Sequence, residues 1–307
     1  MSHAARCALF ALFIAPGLVA AAEKVAAVVN GEPLTVAELD AAVAQIPAAA
    51  GAQPTVAKRQ QRLETLSILI DDKLVRQFLR QYGAKVEAAE VEKQFAALEA
   101  SQKAQGKTLD DYFKETGLTA ARVKENFRFM LQLARYVDAQ ATDDRLRAYH
   151  EANRDFFDKT TVKASHIVLR IAPTAPAAER QQAVEKLRAI RAELAAGKTD
   201  LAAAAKAYSQ CPSGPRGGDV GYIVRKFQVD EPFARAAFAM KVGEVSDVIE
   251  TEVGYHLIWV TDRKPGKPSR YEDVAADVRD CFEIEVKQNL LTELRKKAKI
   301  EVKLRDN

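Results

Sequence analysis

The sequence predicts an α+β protein in which a small sheet domain is inserted in an all-α domain that a C-terminal helix completes. Three observations favour this arrangement. From residue 35 to about residue 153, apolar residues recur at the spacing of amphipathic helices. At Thr161 the pattern changes to the alternation of β-strands. After Pro268 one long amphipathic helix follows without a helical neighbour in sequence, so we expect it to pack back onto the N-terminal helices.

The composition bounds the class of protein. A chain of 307 residues allows about two domains at ~150 residues each. With 48% hydrophobic and 29% charged residues, it is typical of a soluble globular protein. The net charge of +4 is too small, and basic runs too few, to indicate a nucleic-acid partner. No C-x-x-C, H-E-x-x-H or EF-hand spacing occurs, so the sequence predicts neither a metal site nor a cofactor.

Residues 1–22 have the pattern of a signal peptide. Arg6 supplies the positive start, residues 7–14 form an apolar stretch, and Pro16 breaks it before small residues at 20–22. The apolar run is too short for a comfortable membrane span. We therefore expect an exported protein, periplasmic or otherwise extracytoplasmic, whose mature chain begins near Glu23 after cleavage at Ala22. An uncleaved anchor is the alternative.

The first domain is expected over residues 23–155. A short strand at 25–29 ends at the Asn30-Gly31 turn, and Thr35 with Glu38 forms a capping box that begins the first helix. Amphipathic patterns bounded by glycines and caps then predict further helices. These cover approximately residues 55–82, 88–102, 108–117, 119–140 and 142–153.

The sheet domain is expected over residues 160–263. Its first strand carries His166 on one face, and its last clear strand carries His256. Helices are predicted at about 177–196, 200–209 and 232–240, and strands at 248–251 and 255–261. A further capping box at Ser269 and Glu272 opens the final helix, which we place within residues 269–304.

The stretch from Tyr208 to Tyr222, YSQCPSGPRGGDVGY, predicts a rigid, sharply turned loop that leads into a strand. Its glycines supply backbone conformations that other residues avoid, and its prolines fix φ. The glycines do not follow a phosphate-binding spacing. The one side chain of distinctive chemistry in this loop is that of Cys211.

His166, His256 and Cys211 together predict a small polar cluster in an apolar cleft. Taken singly, each histidine is typical of a hydrogen-bonded core residue. A Cys–His hydrolase is one alternative, but no orienting Asn or Asp is identifiable and Cys211 does not begin a helix. A structural disulfide between Cys211 and Cys281 is another, since an oxidising compartment would permit it.

At these residues the sequence resembles the parvulin, or rotamase, family of peptidyl-prolyl cis/trans isomerases. The resemblance implies a small antiparallel sheet flanked by helices. The signal peptide, residues 25–40 and the terminal helix are similar to exported foldases of the SurA and PrsA type. The matching blocks, in the family's order, are Val162–Leu169, Tyr208–Cys211, Gly217–Gly221, Pro232-Phe233, Ala237-Phe238, Gly243–Ser246 and Gly254–Ile258.

The resemblance also implies a role for each site residue. His166 and His256 match paired strand histidines that shape the active site, and Cys211 matches a cysteine near the substrate carbonyl. Phe233 matches the aromatic floor of a proline pocket. Family members carry Gly-Gln-Met beyond the glycine loop, where this chain is one residue longer. The pocket wall is accordingly assigned to Phe227 or Gln228, with Ile223 and Val220 as further wall residues.

The function implied is peptidyl-prolyl isomerisation together with chaperone activity toward exported proteins. Rotation about an X–Pro bond needs no nucleophile, only a site that binds the twisted amide better than either planar form. The expected partners are unfolded or proline-containing exported polypeptides, without nucleic acid or a small-molecule cofactor. A homodimer is left open. The alternative is a holdase whose parvulin domain is weak or inactive.

Only Arg170 lies beside the Ala-Pro loop that follows the first strand of the sheet domain. Relatives selective for phosphorylated Ser/Thr-Pro sequences carry a basic cluster there. The resemblance therefore does not extend to that selectivity.

Overall fold

The computed structural model describes residues 24–45, 54–171 and 175–304, with side chains given from residue 61 onward after the first gap. The signal-peptide prediction for residues 1–22 lies outside these residues. The chain divides into two compact units, one of Met1–Arg145 with Arg279–Asn307 and the other of Leu146–Val278. In the described ranges, no helix is both long enough and apolar enough to cross a bilayer.

The first unit is built mainly of helices. Two helices contain the boundaries between the two units. Those two are α6 (Asp143–Ala152) and α11 (Tyr271–Lys297). The other elements of the first unit are β1 (Val25–Val29), β2 (Glu32–Thr35), α1 (Val36–Ala44), α2 (Pro54–Tyr82), α3 (Ala88–Ala104), α4 (Leu109–Thr116), α5 (Ala120–Gln140) and β7 (Ile300–Val302).

This unit is not all-α, which corrects the sequence-based expectation. It contains an antiparallel three-stranded sheet in the order β2-β1-β7. The hairpin between β1 and β2 turns at Asn30 and Gly31, both with positive φ, as the turn dipeptide predicts. The third strand pairs Glu301 with Val28 across almost the whole chain. No local pattern predicts a three-residue strand that depends on so distant a partner.

The start of α1 confirms the predicted capping box. The Thr35 hydroxyl accepts the Glu38 N–H at 3.1 Å, and the Glu38 carboxylate accepts the Thr35 N–H at 2.7 Å. The second predicted box is wrong, because α11 begins at Tyr271 and Ser269 donates its hydroxyl proton to Asp158 instead, at 2.7 Å. The hydrogen bonds of the first box are local to the start of α1, whereas Ser269 bonds to a residue far away in sequence.

The C-terminal part of α11 packs on α2 and α5 inside the first unit. Leu290 is buried in a cluster with Val75, Leu79 and Phe129. Leu291 and Leu294 also pack against this cluster. The apolar stripe of the last helix is thus covered by N-terminal helices.

The second unit is a four-stranded antiparallel sheet with helices on both faces. The strand order is β4-β3-β6-β5, so the two longest strands are central. The elements are α7 (Arg154–Phe157), β3 (Thr161–Arg170), α8 (Ala177–Ala195), α9 (Leu201–Tyr208), a short 3-10 helix (Gly214–Arg216), β4 (Asp219–Val224), α10 (Glu231–Ala239), β5 (Ile249–Thr251) and β6 (Gly254–Lys264).

The alternation along β3 and β6 separates the two faces of this sheet. Ile167 and Leu257 point to the face covered by α8 and α9. Ile258 and Val260 point to the opposite face, which α10 covers through Phe233. The candidate site lies on the α10 face.

Candidate active site

The β3–β6 register brings the two predicted histidines together. His166 lies opposite Ile258, and His256 lies opposite Val168. The two histidines are therefore diagonal neighbours, two residues apart in register, with side chains on the same face. The strand alternation already predicts the face of each, and the register supplies their proximity.

The two imidazoles are in hydrogen-bond contact. Their Nδ1 atoms are 3.2 Å apart, and the rings stack with centroids 5.4 Å apart at an interplanar angle of 22°. His166 is 7% exposed and His256 is 3% exposed, so water has little access to the contact. A pair held this closely requires one ring to donate and the other to accept.

Both histidines are neutral at physiological pH. Burial lowers the pKa of His166 to about 4, with a smaller contribution from the positive charge of Arg170. Burial likewise lowers the pKa of His256 to about 4, followed by the effects of His166 and Arg170. The protonated forms are disfavoured because a buried charge loses its hydration.

Thr251 on β5 orients the pair, a residue that the sequence did not single out. Its hydroxyl lies 2.8 Å from Nε2 of His256 and accepts the Val253 N–H at 3.2 Å. The Gly254 carbonyl, the alternative acceptor for the hydroxyl proton of Thr251, is 3.4 Å away. The shorter distance assigns the hydroxyl proton to His256, whose Nδ1–H then donates to His166. This leaves an N–H on Nε2 of His166, a buried atom without a hydrogen-bond partner among the described residues.

Phe233 covers the histidine pair with its ring. Its centroid is 5.5 Å from that of His166 and 5.8 Å from that of His256, with interplanar angles of 79° and 84°. The ring is 5% exposed and belongs to a buried cluster with Ile223. Val220 packs against the same cluster. Of the predicted pocket residues, these three therefore meet beside the histidines.

Phe227 and Gln228 make their contacts elsewhere. Phe227 has a φ of 67°, unusual for a bulky residue, and its ring packs edge-on against Phe156 at 5.7 Å. The Gln228 amide oxygen accepts the Val224 N–H at 2.8 Å, and its nitrogen donates to the Tyr222 carbonyl at 3.5 Å. Gln228 thereby covers backbone groups of β4, an edge strand of the sheet.

Val229 and Met240 pack against the Phe233 cluster instead. Val229 directly follows the two residues assigned from sequence. Met240 directly follows α10 and had no distinguishing pattern of its own. A signal for Thr251 did exist, since it ends a strand three residues before the glycine that begins β6.

The loop that carries Cys211 is fastened to β3 through the preceding residue. The Gln210 N–H donates to the Val168 carbonyl at 2.9 Å, and its side-chain oxygen accepts the Arg170 N–H at 2.6 Å. The half-buried Cys211 donates its own N–H to the Ser209 hydroxyl at 3.4 Å. The backbone of Cys211 is thus fixed beside the strand that carries His166.

The far end of the same loop is fastened to His166 itself. The His166 N–H donates to the Gly218 carbonyl at 3.0 Å. Gly218 has a φ of +77°, and a Cβ added there would lie 2.3 Å from the His166 carbonyl oxygen. Only glycine allows this close approach of loop and strand.

The two alternatives raised for Cys211 gain no support. The hydrogen bonds of Cys211 to described residues run through its backbone, not to a histidine base. No disulfide joins it to Cys281 in the described chain. The thiol is therefore a candidate for contact with a substrate, as the resemblance implies.

Comparison with known proteins gives two family matches. The PPIC-type PPIASE domain, called rotamase, matches residues 166–262, and the SurA-like N-terminal domain matches residues 5–137. The chain is 32% identical over 223 residues to the foldase protein PrsA of Geobacillus sp. (strain WCH70), covering 72% of this chain and 71% of that protein.

Two further relatives have lower identity. The chaperone SurA of Chromobacterium violaceum is 26% identical over 80% of this chain and 58% of its own length. A crystal structure of the peptidylprolyl isomerase PrsA from Bacillus anthracis covers 79% of this chain and 99% of that chain at 24% identity, with a TM-score of 0.47. The chain belongs to the PrsA foldase family and joins a SurA-like N-terminal domain to a PpiC-type peptidyl-prolyl isomerase domain.

Proposed function

We propose that this protein isomerises X–Pro bonds without forming a covalent intermediate, at the site formed by His166, His256, Cys211 and Phe233. The observation that carries the proposal is a buried, neutral histidine pair beside an aromatic ring, in which Nε2 of His166 has no hydrogen-bond partner among the described residues. An amide rotation barrier of ~18–20 kcal/mol can be lowered by favouring the twisted state alone. A neutral, preorganised donor suits that task better than a nucleophile.

The apolar residues supply the first part of the mechanism. Val220, Val229 and Phe233 hold the prolyl ring and exclude water from the X–Pro amide that must rotate. Since the planar amide carries partial charge on its oxygen, losing water there raises the energy of the planar form more than that of the twisted form. This contribution requires no chemical step.

The histidine pair supplies the second part. When the amide twists, its nitrogen regains a lone pair, whereas its oxygen loses negative charge. A donor that meets the nitrogen therefore favours the twisted amide, and a donor on the oxygen favours the planar one. We assign the first role to Nε2–H of His166, which Thr251 and His256 hold in that tautomer. Cys211 contacts the substrate carbonyl as a weak polar neighbour.

The chaperone activity is assigned to the SurA-like part together with the last helix. We propose unfolded, proline-containing exported polypeptides as clients, and an extracytoplasmic location reached through the signal peptide at residues 1–22, cleaved near Ala22. Slow proline isomerisation takes tens of seconds in such chains, so one protein that both holds and isomerises them accelerates folding. Residues 23–155, 160–263 and 269–304 are the proposed domain boundaries.

The test uses the whole mature chain in two assays. Exchange between cis and trans prolyl peptides is followed by NMR, and suppression of aggregation is followed by light scattering. Phe233→Ala should lower kcat/KM by at least tenfold while leaving aggregation suppression intact. A wild-type protein that suppresses aggregation but does not accelerate exchange would establish the holdase alternative.

The non-covalent route has its own test. Cys211→Ser keeps a polar group of similar size but is a far weaker nucleophile, so substantial isomerase activity should remain. Loss of activity to the uncatalysed rate, in a variant that still folds, would assign a covalent role to the thiol.

A further inference from the structure

Phe227 is held in a backbone conformation that bulky residues avoid. Its φ of 67° lies in the left-handed region that favours glycine, and its side chain is 43% exposed. The ring contacts that of Phe156 edge-on, with centroids 5.7 Å apart. A bulky residue in this region costs free energy that the surrounding structure must offset. An exposed ring kept there points to a use outside the fold itself.

The neighbours of Phe227 in sequence fix this conformation. Lys226 is buried, and its ammonium lies 5.2 Å from the centre of the Tyr149 ring. Arg225 forms two hydrogen bonds with one carboxylate, at 2.8 and 2.9 Å. On the other side, the Gln228 amide bonds to the β4 backbone. The ring of Phe227 is thus presented from a segment held on both sides, which lowers the entropy cost of binding a partner there.

Phe156 supplies a second ring to the same surface and is anchored in an aromatic cluster. Its ring lies 5.1 Å from that of Phe157, which is 6% exposed. Phe157 in turn contacts the buried rings of Tyr149 and His150, at 6.2 and 5.5 Å. Phe156 itself stays half-buried. Phe156 and Phe227 together form an aromatic shelf with a supported side and a solvent-exposed side.

This aromatic shelf adjoins the wall of the proline pocket. Val229 packs against the cluster around Phe233 and follows Phe227 by two residues. Two residues of extended chain span at most ~7 Å. A substrate side chain one or two positions away from a bound proline therefore reaches the shelf.

The two ends of β3 give the direction of the substrate. The loop of Cys211, beside which the carbonyl preceding the proline is placed, is fastened to β3 at Val168, near the C-terminal end of the strand. The segment that carries the shelf leaves β4 at Val224, which pairs with Thr161 at the N-terminal end of β3. A chain that passes Cys211 and then fills the proline pocket continues toward the aromatic shelf with the residues that follow the proline.

We propose that the aromatic shelf is a substrate subsite that accepts an aromatic or other large apolar side chain one or two positions after the proline, with Phe227 as its specificity determinant. This inference rests on the proposed isomerase function. Aromatic rings gain from edge-to-face contact as well as from burial. The shelf lies away from the rotating amide, so it binds the planar and twisted forms alike and acts on KM rather than on kcat.

The test compares the peptides Ala-Ala-Pro-Xaa-Ala and Ala-Ala-Pro-Ala-Xaa, with Xaa as Phe, Leu, Asn or Ala, on the whole mature chain. NMR exchange at several peptide concentrations separates kcat from KM. At one of the two positions, KM should be about threefold to tenfold lower with Phe than with Ala, the range of one aromatic pair, with Leu in between. The kcat should differ by less than twofold. High salt should leave the preference intact, because it does not depend on an ion pair.

Phe227→Gly should remove the Phe preference while leaving KM and kcat for the Ala peptides within twofold of the wild type. Its urea midpoint should change little, because release of backbone strain offsets the lost ring contact and the freedom of glycine in the unfolded chain. Phe227→Asn, which tolerates the same φ without a large ring, should behave alike, and Phe227→Tyr should keep the preference. Val242→Asn is the matched control: Val242 is 53% exposed in the turn after α10, and its replacement should change neither constant.

Two results would overturn the proposal. One is the same KM for Phe and Ala peptides of both series in the wild type. The other is an equal rise of KM for all peptides in Phe227→Gly and Phe227→Asn, which would assign Phe227 to the shape of the pocket through Val229. Acceleration of exchange in the Ala peptides by the wild type is the separate readout for the isomerase function. If it is absent, that function fails, and NMR titration with the same peptides still decides whether Phe binds more tightly than Ala and whether Phe227→Gly removes the difference.

Discussion

The imidazoles of His166 and His256 meet through their Nδ1 atoms, 3.2 Å apart, although 90 residues separate them in sequence. Each comes from one of two central antiparallel strands, and both are buried. The contact requires one Nδ1 atom to donate and the other to accept, so it is lost once both rings are protonated. This relationship makes the site sensitive to acid in a defined range.

The first prediction is the pH dependence of activity. Because burial lowers the pKa of both histidines to about 4, isomerase activity should be nearly constant from pH 8 to about pH 5. It should then decrease as pH falls through about 4. The measurement is kcat/KM for a neutral Ala-Pro peptide by NMR exchange. A decrease centred near 6.5, the ordinary value for histidine, would contradict a buried neutral pair.

The second prediction concerns stability. The unfolded chain binds protons to these histidines near pH 6.5, and the folded chain does so only near pH 4. Between these two pH values the unfolded state holds more protons than the folded state. The free energy of unfolding should therefore fall as pH decreases from about 6.5 to 4, and this pair should lower it no further below pH 4.

The replacement His256→Gln isolates this effect from that of the carboxylates. It removes one titrating ring, so the variant should show a shallower slope of unfolding free energy against pH than the wild type, by up to ~1.4 kcal/mol per pH unit. Urea unfolding at several pH values measures both slopes. Identical slopes in the two proteins would refute the assigned pKa values.

The third prediction separates Thr251 from a purely structural role. Thr251→Val keeps the shape of the side chain but removes the hydroxyl that orients His256 at 2.8 Å. The tautomer of the pair is then no longer fixed, and kcat should fall by about tenfold, less than the ~10²-fold loss typical of deleting a preorganised donor. Thr251→Ser retains the hydroxyl and should keep most of the activity.

A change confined to KM in Thr251→Val would contradict this role, because a tautomer acts on the amide only as it twists. Nitrogen-15 chemical shifts of the two imidazoles give an independent readout. They should show a protonated Nε2 on His166 in the wild type and a mixture of tautomers in the valine variant.

The fourth prediction uses two glycines with the same backbone angle. Gly218 and Gly221 both have a φ of +77°, but an added Cβ meets the His166 carbonyl at 2.3 Å in the first case and nothing within 4 Å in the second. Gly221→Ala should cost about 1–2 kcal/mol, from backbone strain alone. Gly218→Ala should cost distinctly more and should also displace His166, so activity falls. Urea midpoints and kcat/KM check both; equal effects would refute the close approach.

The fifth prediction distinguishes Gln228 from Val229. Gln228→Ala removes two hydrogen bonds to the β4 backbone and should lower the free energy of unfolding by about 1–2 kcal/mol, with kcat/KM changed by less than twofold. Val229→Ala opens the pocket wall and should raise KM for prolyl peptides. The reverse pattern would place Gln228 in the pocket.

The sequence by itself determined much of this protein. Strand alternation put His166 and His256 on the correct faces, the Thr35–Glu38 pattern located a helix start, and the separated blocks from Val162 to Ile258 identified the isomerase domain. These features depend on local patterns or on sequence motifs, so they can be recognised from the sequence alone.

Tertiary structure decided the rest, because the deciding contacts join distant residues. The β3–β6 register set the imidazole contact, and burial made the pair neutral. The pairing of β7 with β1 turned an apparently all-helical unit into one with a sheet. The Gln228 amide bonds to the β4 backbone, and β5 places the Thr251 hydroxyl against His256. Desolvation and strand register depend on the tertiary fold of the whole chain, so they cannot be predicted from a single stretch of sequence.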